Sequence, residues 1–284
     1  MTRVLVTGAG GFVGRHLVAR LRADGWDVIA PPRAEVDLAD PDAGREAVRA
    51  ADPDVVFWLA AGRAKATAAD RAATTAVNTA PWLVDALPAR CRTVVRLGSS
   101  TEYGASGRPM AEDAPVTPRG FFGATKAAGS LLLLAAAAER GVRAAVLRAF
   151  QVYGPGDHAD RFVPTVLAAA ASGATLPLTA PGRCRDWVWV GDVVDACVRA
   201  AADDALPPGQ VLNLGTGTQT TNEDLVGHAE RATGRPIARA VGAHPGRAWD
   251  TADWVADPAL AGRLLGWTPA VDLQEGLRRT WAAR

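Results

Sequence analysis

Apolar residues in the first half of the chain follow two rhythms. Short continuous runs rich in β-branched residues occupy 3–7, 27–30, 55–59, 93–99 and 143–150. Between them, alanine-rich stretches at 12–24, 41–51, 72–87 and 122–140 carry apolar residues at helical spacing. A strand that is apolar at successive positions is covered on both faces, so the pattern predicts a parallel sheet flanked by helices. After Phe150 the rhythm loosens. Pro and Gly break it at Tyr153-Gly154-Pro155-Gly156, Leu206-Pro207-Pro208-Gly209 and Pro245-Gly246. The expected division is a sheet domain over 1–152 and a smaller, mainly helical lobe over 153–284 that closes on the sheet's carboxyl edge. Segment 185–203 is expected to return to the sheet domain.

Composition narrows the function classes. The balance of 31 basic and 30 acidic side chains leaves a charge of +1, which excludes a nucleic-acid binder working by bulk electrostatics. The longest apolar stretch, 127–138, contains Gly129 and Ser130 and falls short of the roughly 20 residues that span a bilayer. The N-terminus runs straight into a strand without a secretory pattern. A cytoplasmic protein with no membrane partner is therefore expected. Cys91, Cys184 and Cys197 are scattered and odd in number, as reduced cytosolic thiols are. His16, His158, His228 and His244 show no ligand spacing, so no metal is expected. Of the basic residues only Lys65 and Lys126 are lysines, and the only tyrosines are Tyr103 and Tyr153.

The first strand runs into Gly8-Ala9-Gly10-Gly11-Phe12-Val13-Gly14 and then a helix. Between a strand and a helix, such a glycine turn is a dinucleotide fingerprint. Glycine allows close approach of backbone to pyrophosphate, and the helix N-terminus supplies amide donors. Gly8, Gly11, Phe12, Val13 and Gly14 are the cofactor contacts it predicts. The fold class follows: α/β, a Rossmann-type doubly wound parallel sheet with a smaller, mainly helical substrate-binding lobe. An NAD site usually carries a carboxylate at the end of the second strand. Here Pro31-Pro32-Arg33 follows that strand, and Arg33 favours a 2′-phosphate, hence NADP(H); a solvated loop arginine is the competing reading.

From here the chain resembles the extended short-chain dehydrogenases/reductases, the superfamily of nucleotide-sugar epimerases, dehydratases and reductases. The motifs are the glycine turn, Asp37-Leu38, Leu59-Ala60-Ala61-Gly62, Ser99-Ser100-Thr101-Glu102-Tyr103-Gly104 and the stretch from Arg148 to Gly156. Arg185-Asp186-Trp187-Val188-Trp189-Val190-Gly191-Asp192, Asn213-Leu214-Gly215-Thr216-Gly217 and Leu265-Gly266-Trp267-Thr268-Pro269 continue them. The resemblance implies cofactor contacts at Asp37, Leu38, Leu59, Ala60, Ala61 and Lys126. It also implies a catalytic Ser/Thr, a Tyr, and a Lys four residues after that Tyr. Ser99 fits the hydroxyl place, with Ser100 the second choice, and Lys126 fits the lysine. Arg would not replace it, because a compact ammonium is needed and not a planar fork.

The tyrosine is missing. Phe122 stands four residues before Lys126 and has no proton to exchange. Loss of a general acid typically costs about 10²–10⁴ in rate. Removing a hydroxyl proton, the first step of epimerisation or dehydration, suffers most. Reduction is more forgiving, since the alkoxide can be protonated by substrate or solvent. Other departures erode the family's sugar-diphosphate site: Gln151 for Asn, Trp187 and Trp189 for smaller rings, and His244-Pro245-Gly246 with Arg247 one place late. Trp249 and Trp254 fall in the loop that often anchors the nucleotide. Ser100, Thr101, Phe122, Gln151, Arg185 and Trp187 are the substrate contacts expected, with Arg185 binding a phosphate or pairing with Asp186.

These features lead to the expectation of an NADPH-dependent ketoreductase acting on a large aromatic, angucyclinone-like polyketide ketone, as a monomer or homodimer. Two rivals are open: a nucleotide-sugar 4-ketoreductase or epimerase with a relay through Glu102, Asp157 or His158, and a non-catalytic NADP-binding sensor.

Overall fold

The β-branched runs become strands of one parallel, six-stranded sheet. In the computed structural model, which describes residues 1–62, 67–202, 206–246 and 252–284, they are β1 (Arg3–Thr7), β2 (Asp27–Ile29), β3 (Val55–Trp58), β4 (Thr93–Ser99) and β5 (Arg143–Ala149). The spatial order is β2-β1-β3-β4-β5, closed at the far edge by β10 (Gln210–Leu214). That last strand lies past the return segment read from the sequence. Its run, Gln210-Val211-Leu212-Asn213-Leu214, is interrupted by a polar residue, and it pairs with β5 from Ala145 to Ala149.

Alternate residues of these strands feed two apolar layers. Val4, Val6, Phe57 and Leu147 face α1 (Phe12–Ala23) and α7 (Val190–Ala202), with α9 (Ala259–Leu265) beside them. Leu5, Val56, Trp58 and Val146 face the other side, covered by α2 (Pro41–Ala51), α4 (Leu83–Ala86) and α5 (Phe121–Arg140). The stretch expected as one helix over 72–87 is two, α3 (Ala68–Thr79) and α4. Ala80 adopts a left-handed conformation (φ 37°), and Pro81 cannot donate to a continuing helix. Helix α5 spans 20 residues and is long and apolar enough to cross a membrane. It is a core helix here, with Leu133 and Ala137 buried under the sheet.

The second lobe packs on its own core. Helices α6 (Phe162–Ser172), α8 (Asn222–Thr233) and α10 (Leu273–Ala282) surround three short strand pairs. The pairs are β6 (Gln151–Tyr153) with β9 (Trp187–Trp189), β7 (Leu176–Leu178) with β12 (Arg239–Val241), and β8 (Cys184–Arg185) with β11 (Thr220–Thr221). Helix α1 is fastened to this lobe. Arg15 Nη2 donates to Gly156 O at 2.5 Å, His16 Nε2 donates to Pro155 O at 2.9 Å, and Phe12 packs on the lobe's core.

The chain leaves neighbouring strands β1 and β3 in opposite directions, to β2 and to β4. Their carboxyl ends form the crevice where ligands bind in such sheets. The glycine turn closes that crevice by contact. Gly8 has φ +71°, and a Cβ there would lie 2.6 Å from Ala60 N. A Cβ on Gly14 would lie 2.2 Å from Gly8 O, with only backbone to give way. Gly14→Ala is expected to destabilise the fold by about 1–3 kcal/mol through overpacking. Thermal unfolding reads this as a lowered midpoint; an unchanged midpoint would mean the turn can shift.

Candidate active site

The cofactor end is built by backbone. Gly11 N donates to Gly8 O at 2.9 Å and closes the turn. Helix α1 then starts with no side-chain cap and no acidic residue in its first turn, leaving its leading amides for an anion. Above Gly10 an added Cβ would meet nothing within 4 Å, so the turn is open outward. A dinucleotide pyrophosphate fits this cradle. Phe12 and Val13 open the helix there, and their side chains pack towards the second lobe. Leu59 and Ala60 are buried against the turn, and Ala61 and Gly62 follow at the sheet edge. Gly62 is held there by Asn78, whose Oδ1 accepts from Gly62 N at 2.8 Å and whose Nδ2 donates to Gly62 O at 3.2 Å. Arg33 is exposed after β2, and Leu38 packs on the lower core. Asp37 uses Oδ1 to accept from Ala39 N at 3.0 Å.

At the end of β4 the strand stops in a single 3₁₀ turn, Ser100–Glu102. Ser99 Oγ accepts from Thr101 N at 3.2 Å and shares a hydrogen bond with Thr101 Oγ1 at 2.8 Å. Glu102, which would have pointed away had the strand continued, folds back into the protein and is fully buried. Its Oε1 accepts from Ser99 N and its Oε2 from Arg148 Nε, both at 2.9 Å. Ser100 is buried too, with Oγ accepting from Trp254 Nε1 at 3.0 Å. Ser99 is therefore the more accessible hydroxyl of the pair.

Helix α5 lies tight against this turn. A Cβ on Gly123 would lie 2.2 Å from Thr101 O, and one on Gly129 would lie 2.0 Å from Asn78 O. Two glycines thus set the helix register and bring Phe122 and Lys126, one turn apart, beside the Ser99–Glu102 turn. Lys126 is buried, and Nζ donates to Leu97 O at 2.5 Å. Burial, with the nearby Arg96 cation acting in the same sense and Glu102 opposing, pushes its ammonium down to about 7. Phe122 is half-buried, and its carbonyl accepts from Thr125 Oγ1 at 3.0 Å.

Neither tyrosine stands in for the missing phenol. Tyr103 is buried, donates to Asn213 Oδ1 at 2.8 Å, and has Arg148 over its ring at 4.4 Å. Tyr153 is sealed in the second lobe, where burial pushes its hydroxyl up, and it donates to Asp272 O at 3.4 Å. Asp157 and His158 lie on the loop after β6, with Asp157 Oδ1 accepting from His158 N at 2.8 Å.

The substrate side departs from expectation in one respect. Trp187 is core, not wall: it is 5% exposed, stacks on Phe162 with centroids 5.9 Å apart, and meets Tyr153 edge-on. A strand with both neighbours buried, Trp187-Val188-Trp189, turns its rings into the lobe's interior. Gln151 is half-buried on β6 and donates its backbone N–H to Asp186 O at 2.9 Å. Arg185 lies 5.9 Å from the Trp254 ring and donates to Cys184 O at 2.7 Å. The Asp186 carboxylate is filled by Thr216 N and Oγ1, Gly217 N and Ala256 N. Arg247 and Trp249 lie outside the described residues. Sequence reading missed Asn78, and it named Asp186 and Glu102 without their actual partners, the Thr216, Gly217 and Ala256 amides and Arg148, which lie on distant segments. It also missed Arg96, although a charge inside the apolar run Thr93-Val94-Val95-Arg96-Leu97 was visible.

A nucleotide cradle at the sheet's switch point, a strand-end serine and a helix lysine beside it define a dinucleotide-dependent oxidoreductase of the extended short-chain dehydrogenase/reductase type. The sequence profile of the NAD dependent epimerase/dehydratase family matches residues 4–215, and the chain belongs to that family. It is 32% identical to the UDP-glucose 4-epimerase of Mycolicibacterium smegmatis, covering 98% of this chain and 97% of the relative. It is also 32% identical to the dTDP-6-deoxy-L-talose 4-dehydrogenase (NAD(P)(+)) of Kitasatospora kifunensis, covering 99% and 95%. The UDP-glucose 4-epimerase of Thermus thermophilus, solved in complex with NAD, superposes with a TM-score of 0.87 at 27% identity, over 99% and 98% of the two chains. These similarities to nucleotide-sugar enzymes overturn the expectation of an angucyclinone-type ketoreductase. The burial of Trp187 and Trp189 removes much of the flat apolar surface on which that expectation leaned.

Breaking the pair beneath the site should be costly. Arg148→Met leaves Glu102 buried without its cation, and a loss of about 3–5 kcal/mol is expected, read from the urea midpoint. A loss under about 1 kcal/mol would mean that the pair does not hold the turn.

Proposed function

We propose that the protein reduces a ketone on a nucleotide-diphosphate-linked hexose, using NADPH. The observation that carries this reading is the combination at one turn of the site. Ser99 and Lys126 are kept, while Phe122 stands where a proton-accepting phenol would be. Oxidation of a sugar hydroxyl needs a base at that hydroxyl, and Phe122 provides none. Elimination of water needs an accessible acidic residue, and both Glu102 oxygens are already engaged. Reduction needs neither. The name of one relative, a 4-dehydrogenase of a dTDP-linked deoxysugar, describes the reverse sense of a C4 ketone reduction.

A reduced nicotinamide, when bound, supplies hydride to the carbonyl carbon. The chain's residues do the rest. The α1 amides and the glycine turn hold the pyrophosphate, and Leu38, Leu59, Ala60 and Ala61 line the adenine side. Ser99 Oγ donates to the carbonyl oxygen and orients it. Lys126 holds the nicotinamide ribose and lends positive field, and Phe122 closes the site against water. Retention of Ser99 and Lys126 argues against a sensor that has given up chemistry.

The test is NADPH oxidation with a nucleoside-diphosphate 4-keto-6-deoxyhexose, run beside an epimerase assay on UDP-glucose. Saturable oxidation in the first and no product in the second is expected; the opposite pattern would replace reduction by epimerisation. For the cofactor, Arg33→Ala should raise KM for NADPH about tenfold or more, the worth of a charge-assisted phosphate contact, and leave KM for NADH unchanged. Equal changes for both would remove Arg33 from the 2′-phosphate.

A further inference from the structure

Reduction leaves an alkoxide that must find a proton, and the ionisable side chains around the β4 turn are engaged. Glu102 has both oxygens committed, and Tyr103 is tied to Asn213. Lys126 is buried with Nζ on Leu97 O. Two hydroxyls remain at the end of β4, and their bonding fixes where their protons can go.

A hydroxyl offers one proton and accepts two hydrogen bonds. Ser99 Oγ already accepts from Thr101 N at 3.2 Å, a donor whose direction the backbone fixes. It also shares a hydrogen bond with Thr101 Oγ1 at 2.8 Å, in which either oxygen can be the donor. A substrate carbonyl decides the choice, because a carbonyl oxygen only accepts. Once Ser99 gives its proton to that carbonyl, Thr101 must be the donor of the shared bond, and Ser99 Oγ has both acceptor sites filled. Thr101 is exposed, so water reaches its hydroxyl. Ser100 cannot take the same part, being buried with its Oγ occupied by Trp254 Nε1.

We propose that Ser99 and Thr101 form a relay of two hydroxyls that carries a proton from water to the nascent alkoxide, in place of the absent phenol. This rests on the reductive reading above. Ser99 is the catalytic residue, and Thr101 is the positioning residue that returns its proton. The carbonyl carbon gains a C–H bond with the electron pair of the hydride supplied by a reduced nicotinamide, and the π pair moves onto oxygen. In the same step the Ser99 O–H bond breaks as the product O–H forms. The Thr101 O–H breaks as that of Ser99 is remade, and a water O–H breaks as that of Thr101 is remade, leaving hydroxide. The ketone is reduced and the nicotinamide oxidised. An alkoxide is comparable to hydroxide in basicity, so drawing a proton from water onto it costs little. Run backwards, the chain must start from hydroxide, which is scarce at neutral pH. It therefore does not replace the base that oxidation of a sugar hydroxyl needs.

Thr101→Val removes the outer hydroxyl and keeps the branched shape, while Thr101→Ser keeps the hydroxyl. With NADPH and a nucleoside-diphosphate 4-keto-6-deoxyhexose, Thr101→Val should slow single-turnover NADPH oxidation by about 10–10²-fold, the lower part of what a general acid supplies. Thr101→Ser should restore the rate. The Kd for NADPH, read from its fluorescence, and the melting midpoint should not change in either variant. In mixtures of H₂O and D₂O the wild-type rate should fall along a curve that requires more than one proton in motion, and the Thr101→Val rate along a straight line. A straight line for the wild type, or undiminished turnover in Thr101→Val, overturns the relay and leaves reduction in place. If Thr101→Val does not fold, the wild-type curve decides alone. No NADPH oxidation with any nucleotide-linked keto sugar removes the reductive reading, and the relay with it.

Discussion

The Glu102 carboxylate, fixed between Ser99 N and Arg148 Nε, is the contact on which the site's geometry depends. It halts β4 and coils the next three residues into a turn. That turn aims the Ser99 hydroxyl and presents Thr101 O to Gly123. Because Gly123 has no side chain, α5 sits flush on the turn, and Lys126 reaches Leu97 O from the helix. Serine, phenylalanine and lysine are thus placed by one buried anion. In a low-dielectric interior such an anion is tolerable only with its partners satisfied.

The same anion sets the charge balance. Arg96, Lys126 and Arg148 are three cations gathered around one carboxylate in the layer beneath the site. Glu102 is bonded to Arg148, and its charge also opposes the downward push of burial on Lys126 and Arg96. The excess positive charge suits a place where negative charge develops on a carbonyl oxygen and a dinucleotide phosphate lies close.

Much of the sheet was legible because its strands are apolar at consecutive positions, and a glycine turn after β1 has few structural meanings. The break between α3 and α4 is explained by Pro81, a signal present in the chain but outweighed by alanine periodicity. Strand β10 was not legible, since Asn213 interrupts its apolar run to bind Tyr103 and the backbone of Met110. The places of Ser99, Phe122 and Lys126 come from the resemblance to the family's Ser-Tyr-Lys pattern and not from periodicity or composition. The direction of Glu102 could not be read from the chain, because it depends on an arginine 46 residues away. Trp187 misled for a related reason: aromatic identity shows a flat surface but not which way it faces.

Helix α1 carries the leading amides of the cofactor cradle at its start, while Arg15 and His16 one turn on grip the carbonyls of Gly156 and Pro155. The second lobe therefore cannot swing on the sheet domain without either tearing those bonds or dragging the helix. Opening of the cleft and seating of the dinucleotide share a single lever, and torque applied at one is felt at the other.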